Sequence, residues 1–135
     1  MENNIITAAD VQLCENPTPL DIAEFIVRIL DVKKARDIKL IHVAEQTIIA
    51  DYYVICTGNS KSQISSLAEE VEYRLSEKGV KVIHNEGGRG DTWILSDYGS
   101  VILNVFSAET RDYYKLEKLF SEENDIDISE LLIKE

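Results

Sequence analysis

Trp93-Ile94-Leu95-Ser96-Asp97-Tyr98-Gly99-Ser100-Val101-Ile102-Leu103-Asn104-Val105-Phe106 reads as two strands joined by a tight turn. Asp97, Tyr98, Gly99 and Ser100 are turn-forming types, and Gly99 can take positive φ without steric cost. Side chains alternate along a strand, so Trp93, Leu95 and Asp97 fall on one face and Ile94 and Ser96 on the other. The chain's single tryptophan is therefore in register with an acid at the turn. That pairing suits either a recognition surface or a core residue beside a turn residue.

Upstream of the hairpin, the spacing predicts alternating helices and strands. Thr18-Pro19-Leu20-Asp21 carries a helix start: Thr as N-cap, Pro at the first position, an acid in the first turn. Ala23, Ile26, Val27 and Leu30 then repeat at helical spacing, and the helix is expected to run to about Arg36. Residues 38–43 read as a first strand. Residues 51–57 read as a second, apolar enough to be covered on both faces. Ser60 and Gln63 match a capping box, followed by a helix burying Ile64, Leu67, Ala68, Val71 and Leu75 and stopped at Gly79. Residues 80–84 read as a third strand and 86–91 as a glycine-rich loop. After the hairpin, a last helix is expected from 109 to 120, burying Tyr113, Leu116, Leu119 and Phe120. The expected fold class is α/β: a mixed five-stranded sheet with helices packed on its faces, and a parallel crossover between the second and third strands. Residues 1–17 read as a leader, 18–120 as the domain and 121–135 as an acidic tail.

Composition narrows the function classes. The 135 residues hold 44% hydrophobic and 29% charged residues, enough for one core-forming domain. The net charge of −11 argues against direct binding to nucleic-acid phosphates, which draws on clustered Lys and Arg. It suits a basic protein partner, although acidity also serves solubility. No apolar run approaches the ~18 residues that span a bilayer, and no signal pattern opens the chain, so a cytoplasmic location is expected. Cys14 and Cys56 sit in unlike settings, and no disulfide is expected between them.

Residues suited to catalysis are sparse. Thr57-Gly58-Asn59-Ser60 is a strand-to-helix turn whose amides could hold a phosphate, but it lacks the Walker ending, and its helix-cap role is the stronger reading. A nucleotidyltransferase would add two carboxylates at i, i+2 on the next strand for Mg²⁺, and residues 80–84 hold no such pair. Cys56 lies in an apolar strand, as expected for a buried thiol. His42 and His84 lack metal-ligand spacing, so no metal and no cofactor is expected. Glu86 and Asp97 could be imagined as an acid–base pair, but no substrate-binding residues accompany them. Trp93 and Tyr98 flank an acid, and Trp and Tyr are enriched at protein interfaces.

Several segments, in order, resemble the ribosomal silencing factor (Iojap-related) family. They are residues 51–60 with Gln63, then Glu86-Gly87, then residues 93–99, then Glu109-Thr110-Arg111-Asp112-Tyr113-Tyr114-Lys115-Leu116-Glu117-Lys118-Leu119-Phe120. The resemblance implies a fold similar to nucleotidyltransferases without their catalytic carboxylates. It implies a non-enzymatic translation silencer that binds the large ribosomal subunit through a basic ribosomal protein at the subunit interface and blocks joining of the small subunit. A nucleotide-binding or nucleotidyltransferase-type enzyme and a large-subunit assembly factor are the alternatives. Carried over by position, the implied partner contacts are Trp93, Asp97 and Tyr98, with Glu86, Arg111, Tyr114 and Glu117. Phe120 stands where the family often has Trp, Asn104 where His is common, and Gly88-Arg89-Gly90 make the loop unusually glycine-rich. Pairing of the hairpin's edge strand across a two-fold would give a homodimer.

Overall fold

The computed structural model describes residues 6–133. Along the chain come α1 (Pro19–Val32), β1 (Arg36–His42), β2 (Tyr52–Gly58), α2 (Lys61–Glu77), β3 (His84–Glu86), β4 (Trp93–Asp97), β5 (Val101–Ser107), α3 (Ala108–Tyr114) and β6 (Asp125–Ile126). The strands form one mixed sheet in the order β3-β4-β5-β2-β1-β6. The α/β class holds, with six strands rather than five. Only β2 and β5 pair in parallel; every other neighbouring pair is antiparallel.

The α1 start forms as its sequence dictates: Thr18 Oγ1 accepts from the Asp21 amide at 3.1 Å, and the Asp21 carboxylate accepts from the Thr18 amide at 2.9 Å. The helix stops short of Arg36 because Lys34 turns left-handed at φ 68°, and the Ala35 amide reaches back to the Leu30 carbonyl at 2.9 Å. At α2, Ser60 caps the Gln63 amide, but the Gln63 side chain accepts from Asn59 rather than closing the box on Ser60. Gly79, at φ +86°, follows the helix end as expected.

Both long helices cover the same sheet face. α1 lies over β1 and β2, and α2 over β4 and β5. The core between them takes Leu40, Val54, Cys56, Ile94, Val101, Leu103 and Val105 from the sheet. Ala8 and Val11 from the N-terminal segment join it. The second face holds a smaller apolar cluster built on Ile41, Ile55, Ile102 and Phe106, with Leu116 and Phe120 laid across part of it. Helices lie on both faces, as expected: the short α3 meets the second face through the Trp93–Tyr114 contact, and the turn after it adds Leu116 and Phe120.

Three further boundaries differ from expectation. The third strand occupies only His84–Glu86, and Val80 and Val82 pack against the helical core without entering the ladder. It runs parallel to β2 but with β4 and β5 between them, so the parallel partner of β2 is β5. The last helix ends at Tyr114 because Lys115 turns left-handed at φ 50°, and a short 3-10 turn over Leu116–Leu119 follows. That break leaves Tyr113 and Leu119 exposed, not buried. Finally, residues 121–133 are not a loose tail. β6 extends the sheet beside β1, and Ile126, Ile128, Leu131 and Leu132 pack on the helical core.

Candidate functional site

Alternation in β4 sorts its side chains as the sequence predicts. Ile94 and Ser96 are buried under the helices, while Trp93, Leu95 and Asp97 are half-buried on the opposite face. Leu116 and Phe120 pack over the Ile41–Ile55–Ile102–Phe106 cluster, with Phe120 against Tyr53, whereas β3 at the far edge is exposed throughout. An open end of the sheet is left there.

Trp93 is the anchor of that open end. Its ring packs on the fully buried Phe106 at a centroid separation of 4.8 Å and on Tyr114 at 4.9 Å. Tyr113 continues the series 4.9 Å beyond Tyr114, edge to face. The four rings form a ladder from the core to solvent: Phe106 is inaccessible, Tyr114 is 55% exposed and Tyr113 is 78% exposed. The indole N–H donates to Asn104 Oδ1 at 2.9 Å. Gly87 lies against the Trp93 carbonyl, where any added Cβ would sit 2.5 Å from the oxygen.

A cleft of about 340 Å³ opens beside this ladder, lined by Glu86, Gly87, Asp91, Thr92, Trp93, Leu95, Thr110 and Tyr114. Its floor is apolar and its rim carries two carboxylates. Asp91 is tied to the loop, accepting from the Gly88 amide at 2.8 Å. Glu86 is exposed and lies 3.1 Å from His84 Nε2. Thr110 and Thr92 join through their hydroxyls at 2.8 Å, fixing α3 to the start of β4.

Of the partner contacts carried over from the family, Trp93, Tyr114 and Glu86 meet at this cleft. Asp97 shares their sheet face but sits at the other end of β4, roughly 13 Å from Trp93 at ~3.3 Å per residue. One of its carboxylate oxygens closes the turn, accepting from the Gly99 amide at 2.7 Å. Tyr98 requires a correction. It is only 6% exposed and packs in the helical core, so it is no surface contact in this fold. Burial, reinforced by the nearby Glu72 charge, pushes its phenol pKa upward.

Arg111 and Glu117 lie away from this cleft and hold each other. Arg111 Nη2 and Nε reach Glu117 Oε2 at 3.0 and 3.1 Å, while Nη1 donates to the Asp37 carbonyl at 2.7 Å and Thr57 Oγ1 at 2.9 Å. The pair is largely enclosed, at 12% and 19% side-chain exposure. Burial alone would raise the Glu117 carboxyl, but hydrogen bonds from Arg111 and its charge outweigh it and hold the carboxyl below its ordinary value. The pair bridges the break at Lys115 and clamps the bulged start of β1, a structural duty.

Phe106, Asn104 and Tyr113 contact the Trp93–Tyr114 pair and Asp91 lines the cleft, none of them singled out from sequence. The turn at residues 57–60 is internally occupied. Its Asn59 amide is bound by Gln63, and the Asn59 side chain accepts from Arg36 at 2.6 Å. Among the described residues no group of three His, Cys, Asp or Glu side chains is placed to hold a metal ion. Cys56 is enclosed, and burial pushes its thiol pKa up to about 12, only partly offset by Arg111. Among the described residues no helix is long and apolar enough to cross a membrane.

The fold and the open end together define an α/β protein with an aromatic, acid-rimmed cleft. The family model described as "Ribosomal silencing factor during starvation" matches residues 16–135. The ribosomal silencing factor RsfS of Bacillus subtilis is 38% identical over 68% of this chain and 78% of its own length. A crystal structure of a Chromobacterium violaceum protein superposes with a TM-score of 0.74 at 30% identity, covering 76% of this chain and 85% of that one. The mouse protein named for mitochondrial assembly of the ribosomal large subunit is 30% identical over 85% of this chain and 54% of its own length. The chain belongs to the ribosomal silencing factor family, whose names describe a regulatory factor associated with the ribosome.

Proposed function

We propose that this protein silences translation without catalysis, by docking on the large ribosomal subunit through a basic ribosomal protein at the intersubunit face and obstructing the small subunit. The observation that carries the reading is the Trp93–Tyr114 pair, left open at the uncovered end of the sheet beside the Glu86 and Asp91 carboxylates. A half-buried aromatic anchor ringed by acids suits a flat basic protein surface, where the ring supplies desolvated area and the acids supply orientation. The acidic balance of the whole chain supports a protein contact over a nucleic-acid one.

The site residues in this reading are Trp93, Tyr114, Glu86 and Asp97, with Tyr113 at the rim. Co-sedimentation with isolated large subunits tests it, with the small subunit added as competitor. Binding to large subunits that falls as small subunits are added, and a matching drop in joined ribosomes, is the expected result. Binding equally well to joined ribosomes would overturn the obstruction.

Assembly is the second reading, favoured by the name of the mouse relative. It uses the same face on a precursor. A gradient profile in cells separates the two: association with precursor large subunits marks assembly, and association with mature ones marks silencing.

A further inference from the structure

Asn104 is an amide in the middle of an otherwise apolar strand, Val101-Ile102-Leu103-Asn104-Val105-Phe106, flanked by β4 on one side and β2 on the other. It is wholly inaccessible to solvent. Its Oδ1 accepts the Trp93 indole N–H at 2.9 Å, and its Nδ2 has no hydrogen-bond partner among the described residues. The indole nitrogen can only donate, so the amide oxygen must be the atom that faces it. A buried amide left half-unsatisfied is a poor choice for packing alone; an apolar residue of similar size would fill the space without stranding a donor. Its one specific bond goes to the residue that anchors the open cleft.

We infer that Asn104 is a positioning residue for docking: it fixes the Trp93 ring in the orientation the partner meets and withdraws the indole N–H from recognition. This rests on the docking function proposed above. Three restraints then hold the ring: Phe106 beneath it, Tyr114 beside it and Asn104 at its nitrogen. The partner meets ring surface and carboxylates but no free indole donor. A ring held in its bound orientation loses little freedom on association, and binding is tighter for it.

Trp93 is the only tryptophan among six tyrosines, so fluorescence excited at the red edge, where tyrosine does not absorb, reports on this residue alone. Asn104→Leu removes the acceptor and keeps volume; Asn104→Ala removes it without crowding and serves if the leucine variant does not fold. Asn104→His keeps a ring nitrogen as acceptor. In the acceptor-less variants we expect a shifted Trp93 emission maximum, stronger acrylamide quenching and about tenfold weaker large-subunit binding, with circular dichroism unchanged. Asn104→His should recover most of the binding. A folded acceptor-less variant with wild-type quenching and wild-type binding, differing only in Tm, would make Asn104 a packing residue and overturn the inference. If the wild-type protein fails to bind large subunits, the docking function falls, while the quenching comparison still decides whether Asn104 orients the ring.

Discussion

Arg111 and Glu117, six residues apart, close a bidentate ion pair across the left-handed Lys115, and the same guanidinium reaches the Asp37 carbonyl and the Thr57 hydroxyl. One side chain thus joins α3, the C-terminal turn, the start of β1 and the end of β2. Removing it strands a largely enclosed carboxylate and two further acceptors. Arg111→Ala should lose about 3 kcal/mol of stability, the range seen when one partner of an enclosed pair is deleted. In a domain of this size that lowers Tm by roughly 10 °C. Arg111→Lys should recover little, since an ammonium cannot reproduce the planar fork. A melt within 2–3 °C of wild type for Arg111→Ala, about 1 kcal/mol, would show the clamp to be dispensable.

The same pair sets an acid sensitivity. The Glu117 carboxyl is held below its ordinary value in the folded state, after burial is outweighed by Arg111. A group with a depressed folded pKa contributes its stability above the unfolded value of 4.5 and loses it as pH falls through the lower folded one. Melts taken from pH 7 downward should therefore steepen below about pH 4.5. Glu117→Gln should be less stable at pH 7 and show a shallower acid slope. Equal slopes would mean that other carboxylates dominate acid unfolding.

Much of the fold was legible because hydrophobic period, caps and turns agreed. The Thr18 and Ser60 caps, the stripes of α1 and α2 and the alternation in β4 all appear where the residues put them. The two misplaced helix ends share a cause: left-handed turns at Lys34 and Lys115, residue types that give no warning of positive φ. The second break mattered most, because it exposed Tyr113 and brought Leu116 and Phe120 across the sheet. The resemblance pointed to Trp93, Glu86 and Tyr114, which the fold brings to one cleft. The burial of Tyr98 and the mutual engagement of Arg111 and Glu117 depend on tertiary partners that no local pattern encodes.

Gly87 and Gly90 separate backbone strain from site geometry. Both have positive φ, +85° and +90°. A Cβ at Gly90 meets nothing within 4 Å, whereas one at Gly87 would press on the Trp93 carbonyl. Gly90→Ala should cost about 1 kcal/mol, the conformational term alone. Gly87→Ala should cost roughly 3 kcal/mol, because the contact adds to that term. It should also alter Trp93 fluorescence, which Gly90→Ala should leave alone. Indistinguishable melts and spectra for the two variants would contradict the close approach.

Trp93→Ala and Asp97→Asn test the two ends of β4 differently. Truncating Trp93 uncovers the buried Phe106, so some stability is lost along with binding. At a temperature where the variant is folded, binding to large subunits should weaken by about 2 kcal/mol or more. Asp97→Asn keeps an oxygen to accept from the Gly99 amide and removes only charge. Its binding loss should shrink as salt rises, since screening weakens exposed charge pairs. A loss independent of salt would place Asp97 away from any cation of the partner.

Deleting residues 121–135 tests whether the acidic C-terminal stretch is part of the domain. β6 covers the outer edge of β1 through the Leu40–Ile126 and Ile41–Asp125 pairs. Ile126, Ile128, Leu131 and Leu132 are partly buried on the helical core, and the Ile133 amide donates to Asp31 at 2.7 Å. At about 1 kcal/mol for each partly buried aliphatic side chain, the deletion should cost on the order of 4 kcal/mol. It also bares a strand edge, so the truncated protein should elute as larger species in size-exclusion chromatography. Lys39→Ala provides the control: it breaks the ion pair with Asp125 at 3.1 Å, whose partners are 36% and 32% exposed, and leaves the strand in place. That change should cost less than about 1 kcal/mol, because exposed pairs contribute little. A truncated protein that melts with the wild type and stays monodisperse would return the segment to the status of a tail. If Lys39→Ala matched the deletion, charge rather than apolar burial would be holding β6 to the sheet.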